Sequence, residues 1–148
     1  MTIVERRARS LAELSDIDYR IETCRCQGIH SLFNAVVVTF KGSCLYNRSP
    51  THAHADFTSA ILAAAVAGFE CDACVMDIRE LDIESWGERT LWKILSSIPD
   101  RIRTAVVITR QRGQLEWVIE NDPDDVGSPD DLLFQDVESA LVALDKRD

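Results

Sequence analysis

The sequence predicts an α/β fold: a mixed, mostly parallel sheet of four to five strands with helices packed against it. Three observations carry that prediction. Residues 34–41, 74–79 and 104–109 are short runs dominated by Val, Ile and other apolar residues, the composition of strands buried on both faces. The segments between them carry apolar residues at helical spacing, and strands alternating with helices imply right-handed parallel crossovers. A chain of 148 residues, 46% hydrophobic and 28% charged, suffices for one ordinary core and is short for two.

Taken in order, residues 2–15 read as a helix, because Ile3, Val4, Ala8, Leu11, Ala12 and Leu14 fall largely on one face. Its expected role is that of an accessory element laid on the domain or a homodimer contact. Ile17, Tyr19 and Ile21 then alternate with Asp18, Arg20 and Glu22, the period of a strand with one wet face. Gly28 breaks that strand from the run at 34–41, and the two are expected to pair antiparallel. On this division residues 1–30 form an N-terminal helix and edge strand, and 31–148 the main α/β unit, within one compact domain.

Residues 42–54 are polar and irregular, with Asn47, Ser49 and Pro50 as breakers, so a loop is expected. The helix after it carries Phe57, Ile61, Leu62, Ala65 and Val66, with Ser49 or Thr51 as cap and Gly68 as its end. The strand at 74–79 leads through a short acidic turn into a helix over 86–97, closed by Pro99. Beyond the strand at 104–109 come a short helix at 114–120, a surface loop at 121–131, and a final amphipathic helix carrying Val137, Ala140, Leu141 and Leu144.

Charge and composition narrow the function. With 25 acidic against 16 basic residues the formal charge is -9, which repels phosphate backbones and anionic lipid. Neither nucleic acid nor a membrane is an expected partner; another protein is, and the surplus acid would steer a basic one toward the chain, although many soluble proteins are this acidic without such a partner. The first residues show no apolar run after their charges, and the longest apolar segment, 60–67, falls far short of the roughly 20 residues of a membrane span. A cytoplasmic location is expected. The odd count of five cysteines argues for reduced thiols over a disulfide framework. The chain has no glycine-rich phosphate loop, no nucleophile elbow, and no histidine after His54. A binding surface is therefore expected in place of a reaction centre, with no cofactor.

The run Leu81-Asp-Ile-Glu84-Ser85-Trp86-Gly87-Glu-Arg-Thr-Leu91 follows the strand at 74–79, and the chain ends with Leu132-Leu133-Phe134-Gln-Asp-Val137-Glu-Ser-Ala140-Leu141. Over residues 34–145 this pattern resembles the STAS domain, the fold of anti-sigma factor antagonists and of the cytoplasmic tails of anion transporters. Such domains run strand, strand, helix, strand, helix, strand, helix. Their signature is a strand ending in Asp, then Ser-Ser/Thr-Gly and a leucine-rich helix. The resemblance places Glu84 at the aspartate, Ser85 at the first serine, Trp86 at the residue that is phosphorylated, and Gly87 at the glycine. With Trp86 there, the usual phosphate switch cannot operate at that residue. Ser85 is the remaining phosphorylation candidate, set against the N-cap role common for a serine at a helix start.

Each other candidate has a functional and a structural reading. Trp86 is either an exposed interface anchor rimmed by Glu84, Ser85, Glu88 and Arg89, or a side chain folded back over the sheet edge. Cys24, Cys26, Cys71 and Cys74 supply enough thiols for zinc, against the simpler reading of buried reduced cysteines, and no metal is expected. His30, His52 and His54, with Asp56 nearby, offer an acid-base or metal site or else solvated loop histidines. Asp77, Glu80, Asp82 and Glu84 gather at a strand end, where alternation sends Asp77 and Arg79 to one face as an ion pair. The acidic loop at 122–131 lacks the ligand spacing of a calcium loop.

The leading expectation is a non-enzymatic, cytoplasmic protein-binding module. Glu84, Ser85, Trp86, Glu88 and Arg89 would form its partner surface. The alternatives are a small acidic immunity protein neutralising a basic toxin and a hydrolase or metal-dependent enzyme using His52 and His54. The last requires the loop at 42–54 to fold over the end of the strand at 74–79.

Overall fold

The computed structural model describes residues 1, 2, 4–10, 13, 15–43, 51–122 and 128–145, with backbone alone at 51–53. The elements are β1 (Asp18–Gln27), β2 (Leu32–Ser43), α1 (Thr51–Gly68), β3 (Ala73–Asp82), α2 (Thr90–Leu95) and β4 (Arg103–Val107). They continue with α3 (Arg112–Glu120), α4 (Pro129–Leu132), β5 (Leu133–Phe134) and α5 (Val137–Asp145). The five strands lie side by side in chain order. β1 and β2 are antiparallel and every other neighbouring pair is parallel. The fold is thus α/β on a mixed, mostly parallel sheet. Because β2, β3 and β4 run the same way, their C-terminal ends lie together at one end of the sheet, and the turns leading into α2 and α3 leave from there, where open α/β folds present functional groups.

Strand alternation divides the core in two. Val36, Val38 and Phe40 of β2 and Cys74, Met76 and Ile78 of β3 face the larger cluster, which includes Leu62 of α1, Leu91 of α2 and Leu115 of α3. Ala35, Val37, Ala73 and Val75 face the opposite way, against Ala140 and Leu144 of α5. β3 is covered on both sides, which explains its unbroken apolar run from Ala73 to Met76. Fully burying a side chain such as Phe40, Leu62 or Met76 contributes about 1.5–3 kcal/mol.

The hairpin between β1 and β2 is tied to this second layer by one carboxylate. Asp145, at the end of α5, accepts hydrogen bonds from the backbone N–H groups of Ile29 (2.8 Å), His30 (3.2 Å) and Ser31 (3.1 Å) and from the Ser31 hydroxyl (3.2 Å). Burial acts to raise its pKa, but the three backbone donors and the hydroxyl outweigh burial and hold the carboxyl below its ordinary range. A Cβ at Gly28 would collide with the Asp145 carboxylate, so any side chain there displaces the group that holds the hairpin.

Several elements differ from the sequence expectation. The described residues among 1–10 form no helix, and Val4 is 95% exposed. A short amphipathic helix is marginal in water without a surface to pack on, and this segment has none for Val4. Residues 3, 11, 12 and 14 lie outside the described residues. β2 runs on to Ser43 and α1 starts at Thr51, so residues 42–43 and 51–54 of the expected loop belong to those two elements; the rest of it, 44–50 with Asn47, Ser49 and Pro50, lies outside the described residues. α2 begins at Thr90, not Trp86. The loop expected at 121–131 ends in α4, where the Ser128 side chain and Asp131 form a reciprocal capping box with Pro129 at the helix start. β5 is set by pairing with β4, Val106 with Leu133 and Val107 with Phe134.

Candidate functional site

The turn after β3 is held from outside by α3 and its N-cap residue Gln111. Ile83 N–H donates to Gln111 Oε1 (2.9 Å), and the Gln111 amide donates to Asp82 Oδ1 (3.0 Å). Gln114 Nε2 donates to the carbonyls of Ile83 (2.8 Å) and Trp86 (3.3 Å). Asp82 also accepts the Glu84 N–H (3.0 Å), and Trp86 N–H closes the turn onto the Ile83 carbonyl (2.9 Å). Two glutamine side chains thereby supply the polar partners that the irregular backbone of 82–86 lacks within itself. The Glu84 N–H, then the Gln111 amide, hold the Asp82 carboxyl below its usual range, and the charge of Arg110 acts in the same direction.

Within this turn the side chains sort cleanly by direction. Ile83 is fully buried and Trp86 is 8% exposed, both in the larger core cluster with Leu91, Ile94 and Leu115. Trp86 is therefore not the exposed anchor of the first sequence reading; its side chain is buried in the larger core cluster. Its physical reason is the turn itself: Ile83 and Trp86 close a hydrogen-bonded turn that points both inward, and the helix starts only after Gly87, whose N–H is taken by Thr90 Oγ1 (3.1 Å). Glu84, Glu88 and Arg89 are exposed, and Ser85 is half-buried. Arg89 occupies the N-cap of α2, so Ser85 does not cap that helix. Trp117 on α3 is the tryptophan that the structure exposes, at 51%.

The other candidates separate from one another. Asp77, 4% exposed, receives Arg79 in a two-pronged pair, Nε to Oδ1 at 3.1 Å and a terminal nitrogen to Oδ2 at 2.8 Å, as alternation predicts. His54 is buried within α1, not solvated on a loop, and its Nδ1 lies 2.7 Å from Ser15 Oγ, which also accepts the Ile17 N–H. That pairing directs His54 to the segment before β1, while Asp77 is held by Arg79 and Asp82 by the turn. Asp56 pairs with Lys93 at 2.8 Å. His52 has no described side chain, and His30 is exposed at the hairpin.

Cys24 and Cys26 pack against the smaller cluster, whereas Cys71 and Cys74 belong to the larger one. The two thiol pairs stand on opposite sides of the sheet and do not converge on one metal. Burial pushes the Cys74 thiol up to about 12. Among the described residues no group of three or more His, Cys, Asp or Glu is placed to hold a metal ion, and no helix is long and apolar enough to cross a membrane.

The site residues that sequence reasoning missed are Gln111, Gln114 and Arg110. A glutamine that reaches another segment's backbone leaves no periodic trace in sequence. No family model, curated protein or solved structure matches the chain.

Proposed function

We propose that this chain is a non-enzymatic, cytoplasmic protein-binding module of STAS-like fold that engages a regulatory partner through the turn from Glu84 to Arg89. The observation that carries the proposal is the glutamine clamp from α3. A turn already fixed by Gln111 and Gln114 has little freedom left to lose on binding, so its exposed charges are available for recognition. Glu84 and Glu88 favour a basic patch on the partner, and Arg89 and Arg110 add positive charge at the rim.

The order of elements supports the STAS-like reading: an antiparallel strand pair, then helix, strand, helix, strand and helix. The turn after β3 is where that family carries its phosphorylated residue. Trp86 cannot accept a phosphate, and its burial makes it a structural member of the turn. Ser85 is the hydroxyl next to it. A phosphate on Ser85 would stand between Glu84 and Glu88, add about two negative charges and alter the charge pattern presented to the partner.

The test is affinity capture from the native cell extract with wild-type protein beside Glu84→Lys/Glu88→Lys. Both side chains are exposed, so the variant keeps its circular dichroism spectrum. The expected result is a single protein retained by wild type, released by salt and lost from the variant. Equal retention by both, or no retained protein, overturns the proposal.

A further inference from the structure

We propose that the outer edge of β1 is a self-complementary pairing edge, through which two copies of the chain join their sheets about a two-fold axis at Ile21. β1 is the terminal strand of the sheet on one side and runs for ten residues; the opposite edge is the two-residue β5. An unpaired strand edge of this length is a template for another chain unless something blunts it. β1 contains no proline, and its register with β2 is unbroken from Asp18 to Gln27.

The register tells which backbone groups face outward. Gly28 N–H donates to the Ser31 carbonyl at 2.9 Å, and this pair continues the line of Gln27 opposite Leu32. In an antiparallel ladder hydrogen-bonded and non-bonded pairs alternate. The even-numbered residues of β1 therefore bond to β2, and Tyr19, Ile21, Thr23 and Arg25 turn their N–H and carbonyl groups outward. No other described residue supplies these groups with a backbone partner.

The side chains then select the partner. Two antiparallel copies related by a two-fold axis normal to the sheet place residues of equal parity opposite each other. Centred on Ile21, the pairing sets Arg20 of each copy against Glu22 of the other, Tyr19 against Thr23, and Ile21 against itself. Both charges are matched twice. Centred on Arg20 or Glu22 instead, like charges meet; centred on Thr23, Ile21 faces Arg25 and the other charges face neutral residues. Arg20 and Glu22 are exposed and already lean toward each other within the strand, Nε to Oε1 at 3.1 Å, so both stand on the same side of the sheet. In the Ile21 register the outward groups of Ile21 bond to those of its symmetry mate, and those of Tyr19 to Thr23. Charges on an edge strand ordinarily repel a second copy; here they attract with the axis at Ile21, and also at Tyr19, where Arg20 meets Asp18, but the Tyr19 register overlaps only residues 18–20 of β1 and the Ile21 register overlaps 18–24. The partner that fits is a second copy of this chain.

The experiment is sedimentation velocity on the full chain across a concentration series, with far-UV circular dichroism to confirm folding. Wild type is expected to dimerise. Arg20→Glu and Glu22→Arg alone each replace two attractions with two repulsions and weaken the dimer on the order of tenfold or more. The double variant Arg20→Glu/Glu22→Arg restores it. Thr23→Pro deletes an outward donor without touching the β2 ladder and abolishes it. A wild-type chain that stays monomeric to the limit of its solubility overturns the inference. So does a dimer that both single charge variants leave unchanged, or one that the double variant fails to rescue.

Discussion

Replacing Trp86 with alanine tests whether this residue holds the turn or meets a partner. The side chain is 8% exposed and lies among Ile83, Leu91, Ile94 and Leu115 in the larger cluster. Deleting a buried indole loses its transfer free energy and leaves a cavity, about 3–5 kcal/mol together. That is a large share of the roughly 5–15 kcal/mol by which an ordinary domain is stable. In urea, with a denaturant dependence of about 2 kcal/mol per M for a chain of this size, the unfolding midpoint should fall by roughly 2 M. The assay is equilibrium unfolding followed by far-UV circular dichroism, which does not depend on the two remaining tryptophans. Turn amides, above all the backbone N–H of position 86 that donates to the Ile83 carbonyl, should exchange faster in the folded variant. A midpoint shift below about 0.5 M would refute the packing argument and return Trp86 to the surface.

Gln114→Ala removes two neutral hydrogen bonds that hold the turn carbonyls, and a loss of about 1–2 kcal/mol is expected, read as a shift in the same urea midpoint. Gly28→Ala forces the hairpin away from Asp145, and overpacking of this kind costs about 1–3 kcal/mol; a variant as stable as wild type would show that the contact relaxes freely. Asp82 and Asp145 both have folded-state pKa values below their ordinary value of 3.8. Their contribution is therefore fully present above 3.8 and is lost as pH falls from there through the lowered folded values. Stability measured against pH should decline over that window, and Asp145→Asn should flatten the decline while lowering stability at neutral pH.

The sheet was legible because the residues that specify it act locally or by simple alternation. The Val-rich runs of β2 and β4 and the apolar start of β3 named buried strands, and the Asp77–Arg79 pair followed from residues two apart sharing a face. The turn after β3 was legible as a location, and its internal order was not. Reading the helix from Trp86 gave that residue a helical azimuth, whereas Gly87 and the Ile83–Trp86 hydrogen bond delay the helix to Thr90. The N-terminal segment shows why apolar spacing alone does not make a helix: no partner covers Val4. The hold of Asp145 on the hairpin joins residues separated by 114 to 116 positions, beyond any local pattern. The α4 start is different, since its capping signal, Ser128-Pro129-Asp130-Asp131, lies within four adjacent residues.

Hydrogen–deuterium exchange of the protein, alone and with the partner recovered by capture, tests the central claim most directly. Binding through the clamped turn predicts added protection confined to residues 84–89 and the adjoining start of α3, with the rest of the chain unchanged. Protection that appears instead on α5 or along β1, leaving the turn amides as they were, would contradict it.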